Sequence, residues 1–184
     1  MLAFALVLAA PAAAAEPRVL VDDFEDPSGW TAHPSDGVEL TIGRDQGVHG
    51  KALRLDFRFV RGGGYAVARK AFDVPLPPDY RFHLAVKGAT GPQNFEFKLI
   101  DSTGANVWWN NRRDFVFPTT WDSLSTKKRK IEFAWGPIGG GTLGRIAAIE
   151  FAVTAGSGGQ GTVWLDDLTL EPLPPPIEIG RAHV

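Results

Sequence analysis

The chain has 184 residues, 44% of them hydrophobic and 22% charged, with a formal net charge of −2. That length suits one folded domain, and that composition excludes a disordered chain. The near-neutral balance excludes a general attraction to nucleic acid or to acidic membrane. No cysteine is present, which rules out a thiol nucleophile, a thiolate metal site and a disulfide framework.

At the start, Leu2 to Ala10 is an apolar run too short to span a bilayer. Small residues follow, with Ala13 and Ala15 placed for cleavage before Glu16, so residues 1–15 read as a signal peptide. A positively charged n-region is missing, as it would be if translation began upstream. A buried apolar N-terminus is the alternative. Export points to a secreted or periplasmic protein with no membrane span in the mature chain. Without disulfides, a metal ion is left to take the stapling role.

From residue 16 to 171 the pattern is alternation, with no sustained 3.6-residue apolar period. Strands are predicted at 18–24, 38–43, 51–59, 64–72, 80–86, 94–100, 105–110, 113–117, 129–135, 146–153 and 162–170. In KALRLDFRF, Leu53, Leu55, Phe57 and Phe59 share one face, while Arg54, Asp56 and Arg58 take the other. In YRFHLAV, Tyr80, Phe82, Leu84 and Val86 point inward. In NFEFKLI, Phe95, Phe97 and Leu99 are expected inside, with Glu96 and Lys98 exposed. Turn signals such as PSDG, RGGG, DSTG and AGSGGQG separate the strands. Strands with one polar face belong to antiparallel sheets, so the predicted fold is all-β, an antiparallel sandwich or jelly roll.

The C-terminal end differs. Residues 172–177 are Pro-rich and read as a stiff linker. Residues 178–184, EIGRAHV, read as a non-native, adapter-derived tail. That reading implies a natural chain continuing into a covalently linked downstream domain; an ordinary charged tail is the alternative.

Two groups of residues could carry chemistry. VDDFED and WLDDLTL bring paired carboxylates to the first and last strands. Hard oxygen ligands gathered there suit calcium, and the turn QGVHGK could add carbonyls. Solvated strand-end charge is the plain alternative.

The second group is VWWNNRRDF. Indoles stack on the apolar faces of sugars, and Asn and Arg hydrogen-bond to hydroxyls. Alternation sends Trp108, Asn110 and Arg112 one way and Val107, Trp109, Asn111 and Arg113 the other. Val107 favours Trp109 inside and Trp108 with Arg112 outside, although a bulge at Asn110–Asn111 would blur this. Two packed tryptophans and a strand-tying ion pair are the structural alternative. Trp135, before Gly-Pro at a strand end, is placed to line a cleft, and Glu96 and Lys98 to floor it. Trp30, Trp121 and Trp164 are expected to be packing residues.

LVDDFEDPSGW, GVHGKALRLDF and GTVWLDDLTL, in that order, resemble the galactose-binding-like jelly rolls of carbohydrate-binding modules. The family-11-type modules and discoidin-like domains come closest, and the resemblance covers most of residues 18 to 171. It implies a structural Ca2+ held by Asp23, Glu25, Gly47, Lys51 and Asp166. It also implies a noncatalytic module binding a polysaccharide or oligosaccharide, attached to a discoidin-type or glycoside-hydrolase region. The competing readings are a protein-docking or envelope sandwich without sugar affinity, and a glycan-cleaving enzyme using carboxylates such as Glu96 or Asp114.

Overall fold

The computed structural model describes residues 17–174. The signal-peptide pattern, the end of the Pro-rich linker and the EIGRAHV tail lie outside the described residues. Twelve strands follow in order: β1 (Val19–Asp22), β2 (Thr31–Ala32), β3 (Val38–Gln46), β4 (Lys51–Phe59), β5 (Tyr65–Pro75), β6 (Tyr80–Ala89), β7 (Gln93–Ile100), β8 (Val107–Phe115), β9 (Asp122–Lys127), β10 (Glu132–Trp135), β11 (Arg145–Thr154) and β12 (Gln160–Pro172).

They form two antiparallel six-stranded sheets. The first runs β3-β4-β12-β6-β9, with β1 also paired to β12; the second runs β10-β8-β7-β11-β5-β2. The inward faces predicted by alternation meet between them. Leu53, Leu55 and Phe57 of β4 and Phe82, Leu84 and Val86 of β6 pack against Phe95, Phe97 and Leu99 of β7 and Ile149, Phe151 and Val153 of β11. Phe151 stacks on Phe97 at 5.4 Å and on Phe95 at 6.1 Å. Phe82 reaches across the sheets to Phe97 at 5.0 Å. Each such side chain contributes roughly 1.5–3 kcal/mol by leaving water.

The first acidic motif is a structural knot. Asp22 is 7% exposed and accepts from Phe24 N–H (2.9 Å), Trp30 Nε1–H (3.1 Å) and Lys70 Nζ (2.8 Å). The bond to Phe24 N–H holds that residue at φ 56°, a conformation that costs a bulky side chain about 1–3 kcal/mol. In return its ring is fully buried, stacked on Trp30 at 5.7 Å.

Three features depart from the sequence expectation. The expected strands 105–110 and 113–117 merge into the single strand β8 (Val107–Phe115), because Asn110 and Asn111 stay in register with β7. β9 lacks a clear apolar alternation, and β2 is two residues long, so neither is visible as a strand in the sequence. β12 runs on to Pro172, and Leu173 N–H donates to Asp79 O.

Candidate functional site

The second sheet has an outer face that its register makes easy to trace. Thr31, Arg69, Glu150, Lys98, Trp109 and Glu132 are successive cross-strand partners on β2, β5, β11, β7, β8 and β10. This row crosses all six strands, about 24 Å at the usual inter-strand spacing. Val67, Ala152, Glu96 and Asn111 form the next row. On the other side, Ala71, Ala148, Ile100, Val107 and Trp135 form an apolar one.

A groove of about 870 Å³ lies over these rows, lined among others by Thr31, His33, Tyr65, Arg69, Glu96, Lys98, Trp135, Glu150 and Thr154. Two rings stand at it well exposed, Tyr65 at 47% and Trp135 at 46%. Trp109 meets Trp135 edge-on at 5.5 Å. The Trp135 ring lies 5.5 Å from Lys98 Nζ. The Oδ1 of Asn111 is buried and has no hydrogen-bond partner among the described residues.

The floor is charged and paired. Lys98 Nζ is 3.0 Å from Glu96 and 3.7 Å from Glu150, while Arg69 Nη1 is 3.0 Å from Glu150. Thr154 Oγ1 donates to Glu96 at 3.1 Å. Glu96 and Lys98 are each 7% exposed, contrary to their expected exposure. Flanking strands and Trp135 cover them, and mutual pairing makes that burial tolerable.

The tryptophan–arginine strand is inverted relative to the expected orientation. Trp108 faces the sandwich interior at 5% exposure, against Phe133 at 5.4 Å, with Nε1–H donating to Gly141 O at 2.9 Å. Asn110 and Arg112 point inward with it. Asn110 Nδ2 donates to Lys130 O, and Arg112 Nη2 to Ser125 O and Thr126 Oγ1. Burial lowers the Arg112 pKa from its usual value. Trp109, Asn111 and Arg113 take the outer face. The misleading signal was Val107, which is buried outside the main core, in a small cluster with Ile100, Ala148 and Ala134. Trp121 and Trp164, expected as packing residues, lie outside both apolar clusters, with Lys87 Nζ 5.0 and 4.5 Å from their rings.

Two of the three carboxylates of the calcium expectation, Glu25 and Asp166, meet the 47–51 turn. Asp166 is fully buried and accepts from Val48 N–H (2.7 Å) and His49 N–H (3.2 Å). Glu25 accepts from Lys51 N–H at 2.7 Å. A Cβ at Gly47 would collide with Asp166, and one at Gly50, where φ is 59°, with Glu25. Asp23 is exposed and accepts from Glu25 N–H at 3.2 Å. Desolvation is the main cause raising the Asp166 pKa. No group of three or more metal-binding side chains gathers among the described residues. A cation here would therefore rest on two carboxylates plus backbone carbonyls, a donor set of the hard-oxygen kind that calcium takes.

These observations define an architecture: an antiparallel β-sandwich of the jelly-roll kind with a groove across one sheet. No protein-family model and no curated protein matches the chain. Among solved structures, it is similar to the family 11 carbohydrate-binding module from Clostridium thermocellum in complex with a β-1,3-1,4-mixed-linked tetrasaccharide. That match has a TM-score of 0.67 and 16% identity, over 84% of this chain and 95% of that one. A family 30 module of a cellulosomal cellulase of the same organism aligns at TM-score 0.58 and 13% identity, over 85% and 98%. An exo-β-agarase aligns at TM-score 0.56 and 16% identity, over 87% of this chain but 26% of the enzyme. At such identities the likeness is one of fold. Among the described residues no helix is long and apolar enough to cross a membrane.

Proposed function

We propose that this chain is a noncatalytic saccharide-binding module of a larger exported protein, attached to a discoidin-type or glycoside-hydrolase region. The observation that carries this reading is the groove. It pairs two well-exposed aromatic rings, Tyr65 and Trp135, with a polar floor that includes Thr31, Arg69, Glu96, Lys98 and Glu150. Aromatic faces take the C–H faces of a sugar ring, and fixed polar groups take its hydroxyls. Trp135, Trp109, Asn111, Arg113, Glu96 and Lys98 would serve the ligand, together with Tyr65, Thr31 and His33. Trp108, Asn110 and Arg112 hold the strand that carries them. Hydrolysis would need two carboxylates free to flank one bond; Glu96 and Glu150 are instead engaged by Lys98, Arg69 and Thr154.

The test is affinity electrophoresis in gels containing neutral polysaccharides, beginning with a mixed-linked β-1,3-1,4-glucan. Retardation of the folded protein, without release of reducing sugar, supports the reading. Unretarded migration through every gel overturns it and leaves a protein-docking sandwich.

We further propose a structural Ca2+ at the 47–51 turn, held by Glu25, Asp166 and the carbonyls of Gly47 and Lys51, with Asp23 alongside. The support is the convergence of carboxylates from both ends of the chain on a turn kept clear by glycine. Calcium should then raise the melting temperature and a chelator lower it. An unchanged melt in both conditions removes the site.

A further inference from the structure

We propose that Glu96 and Glu150 are specificity-determining residues of the groove. By neutralising Lys98 and Arg69, they set it to accept uncharged saccharides and to reject uronate- or sulfate-bearing ones. This rests on the saccharide reading above.

The argument begins with register. Arg69, Glu150 and Lys98 are direct cross-strand partners on β5, β11 and β7. Glu96 lies two residues along β7 on the same face. Four charged side chains therefore touch in one line across the groove floor, in the order Arg69, Glu150, Lys98, Glu96. Two are positive and two negative, so their sum is zero.

The pairs made by Lys98 are also buried, while Arg69 is 36% exposed. The side chains of Lys98, Glu96 and Glu150 are 9%, 10% and 14% exposed. At such sites charges interact more strongly and salt screens them less than at the surface. A ligand carboxylate lowered onto this floor would find each cation already neutralised, and two glutamates beside it. It would lose its hydration and find neither Arg69 nor Lys98 free of a carboxylate partner. A neutral hydroxyl has no such loss. It can still bond to the unused N–H groups of Arg69 or to the carboxylate lone pairs.

The same geometry predicts what removal does. A Glu150→Gln change keeps the shape of the side chain, leaves Arg69 without a carboxylate partner and leaves Lys98 with Glu96 alone. The floor then carries a net positive charge aimed at the ligand. Glu96→Gln does the same at the Asn111 side of Lys98. Specificity of this type is a difference between two ligands, produced largely by the repulsive element.

The experiment uses two probes with one backbone: a mixed-linked β-glucan, and the same glucan oxidised at C6 to uronate. Titration calorimetry compares the wild-type chain, Glu150→Gln, Glu96→Gln and the double variant Arg69→Gln/Glu150→Gln. Wild type should prefer the neutral glucan by at least about tenfold. Each single variant should close or reverse that preference, with binding of the oxidised glucan weakening as salt rises. The double variant restores a neutral floor and should reject the oxidised glucan as wild type does. Thermal melts identify any variant that fails to fold; should a single variant do so, wild type and the double variant still decide the matter. Equal wild-type affinity for both polymers overturns the inference while leaving the saccharide reading intact. So does a double variant that gains uronate binding. Wild type that binds neither polymer overturns the saccharide reading itself, and the inference falls with it.

Discussion

The two outer faces of the sandwich use the same ingredients to different ends. On the first sheet, Lys87 lies between the rings of Trp121 and Trp164, and Trp164 Nε1–H donates to Asp45 at 3.0 Å. Arg54 pairs with Asp56 at 3.0 Å, its side chain 40% and that of Asp56 37% exposed. On the second sheet the pairs of Lys98 with Glu96 and Glu150 are covered, and the indole of Trp135 stands 46% exposed beside them. Each face sets indole over a lysine of its own, but Trp121 and Trp164 are half-buried whereas Trp135 is exposed at the groove. The residue types alone do not make a site; which of them stay open at a groove decides it.

Several measurements sharpen that contrast. The largest effect is expected at Trp108, which the inverted β8 orientation places in the core. Trp108→Ala should destabilise the fold by about 3–5 kcal/mol in chemical denaturation. If the variant stays folded, its glucan affinity should be unchanged. A small stability loss with a large affinity loss would mean that this indole faces the ligand.

Next come the ion pairs. Lys98→Met leaves the buried Glu96 without a cation and Glu150 with Arg69 alone, and should cost about 3–5 kcal/mol. Arg54→Met on the opposite face should cost about 1 kcal/mol or less, as exposed pairs do. Equal costs would erase the distinction between the two faces.

A smaller effect involves pH. Burial pushes the Tyr80 hydroxyl from 10.0 up to about 12. The folded state thus binds this proton more tightly than the unfolded chain. Its contribution to stability is present in full below pH 10 and drains away as pH climbs toward 12. Tyr80→Phe should flatten that alkaline slope in a series of melts; an unchanged slope would assign it elsewhere.

Acid works in the opposite sense on Glu171. Its hydrogen bond to His83 is the largest cause lowering its pKa below 4.5. The stabilisation it gives is present above pH 4.5 and is lost as pH falls through the lowered value.

How much of this was legible follows from the same physics. Alternation in β4, β6 and β7 revealed the inward faces, because there every second residue is large and apolar. It misled in β8, where both faces carry apolar residues: Trp108 toward the core, Val107 toward the Ile100–Ala148 cluster. Period-2 patterning separates two faces but does not say which is inside when both are part-buried. Trp135, Glu96 and Lys98 were readable as cleft residues from their places on strands. Tyr65, His33, Thr31, Glu150 and Thr154 were not. They reach the groove from β5, β2 and β11 and their flanks, and only cross-strand register brings them together. The turn 47–51 was readable from its glycines, which leave room for Glu25 and Asp166.

The most direct test of the central claim is to titrate a mixed-linked β-glucan oligosaccharide into three folded proteins: wild type, Trp135→Ala and Trp164→Ala. Loss of a ring that anchors the ligand should weaken binding on the order of 30-fold, about 2 kcal/mol. The account predicts that loss for Trp135→Ala and wild-type affinity for Trp164→Ala. The reverse pattern would contradict it, by moving the binding face to the other sheet.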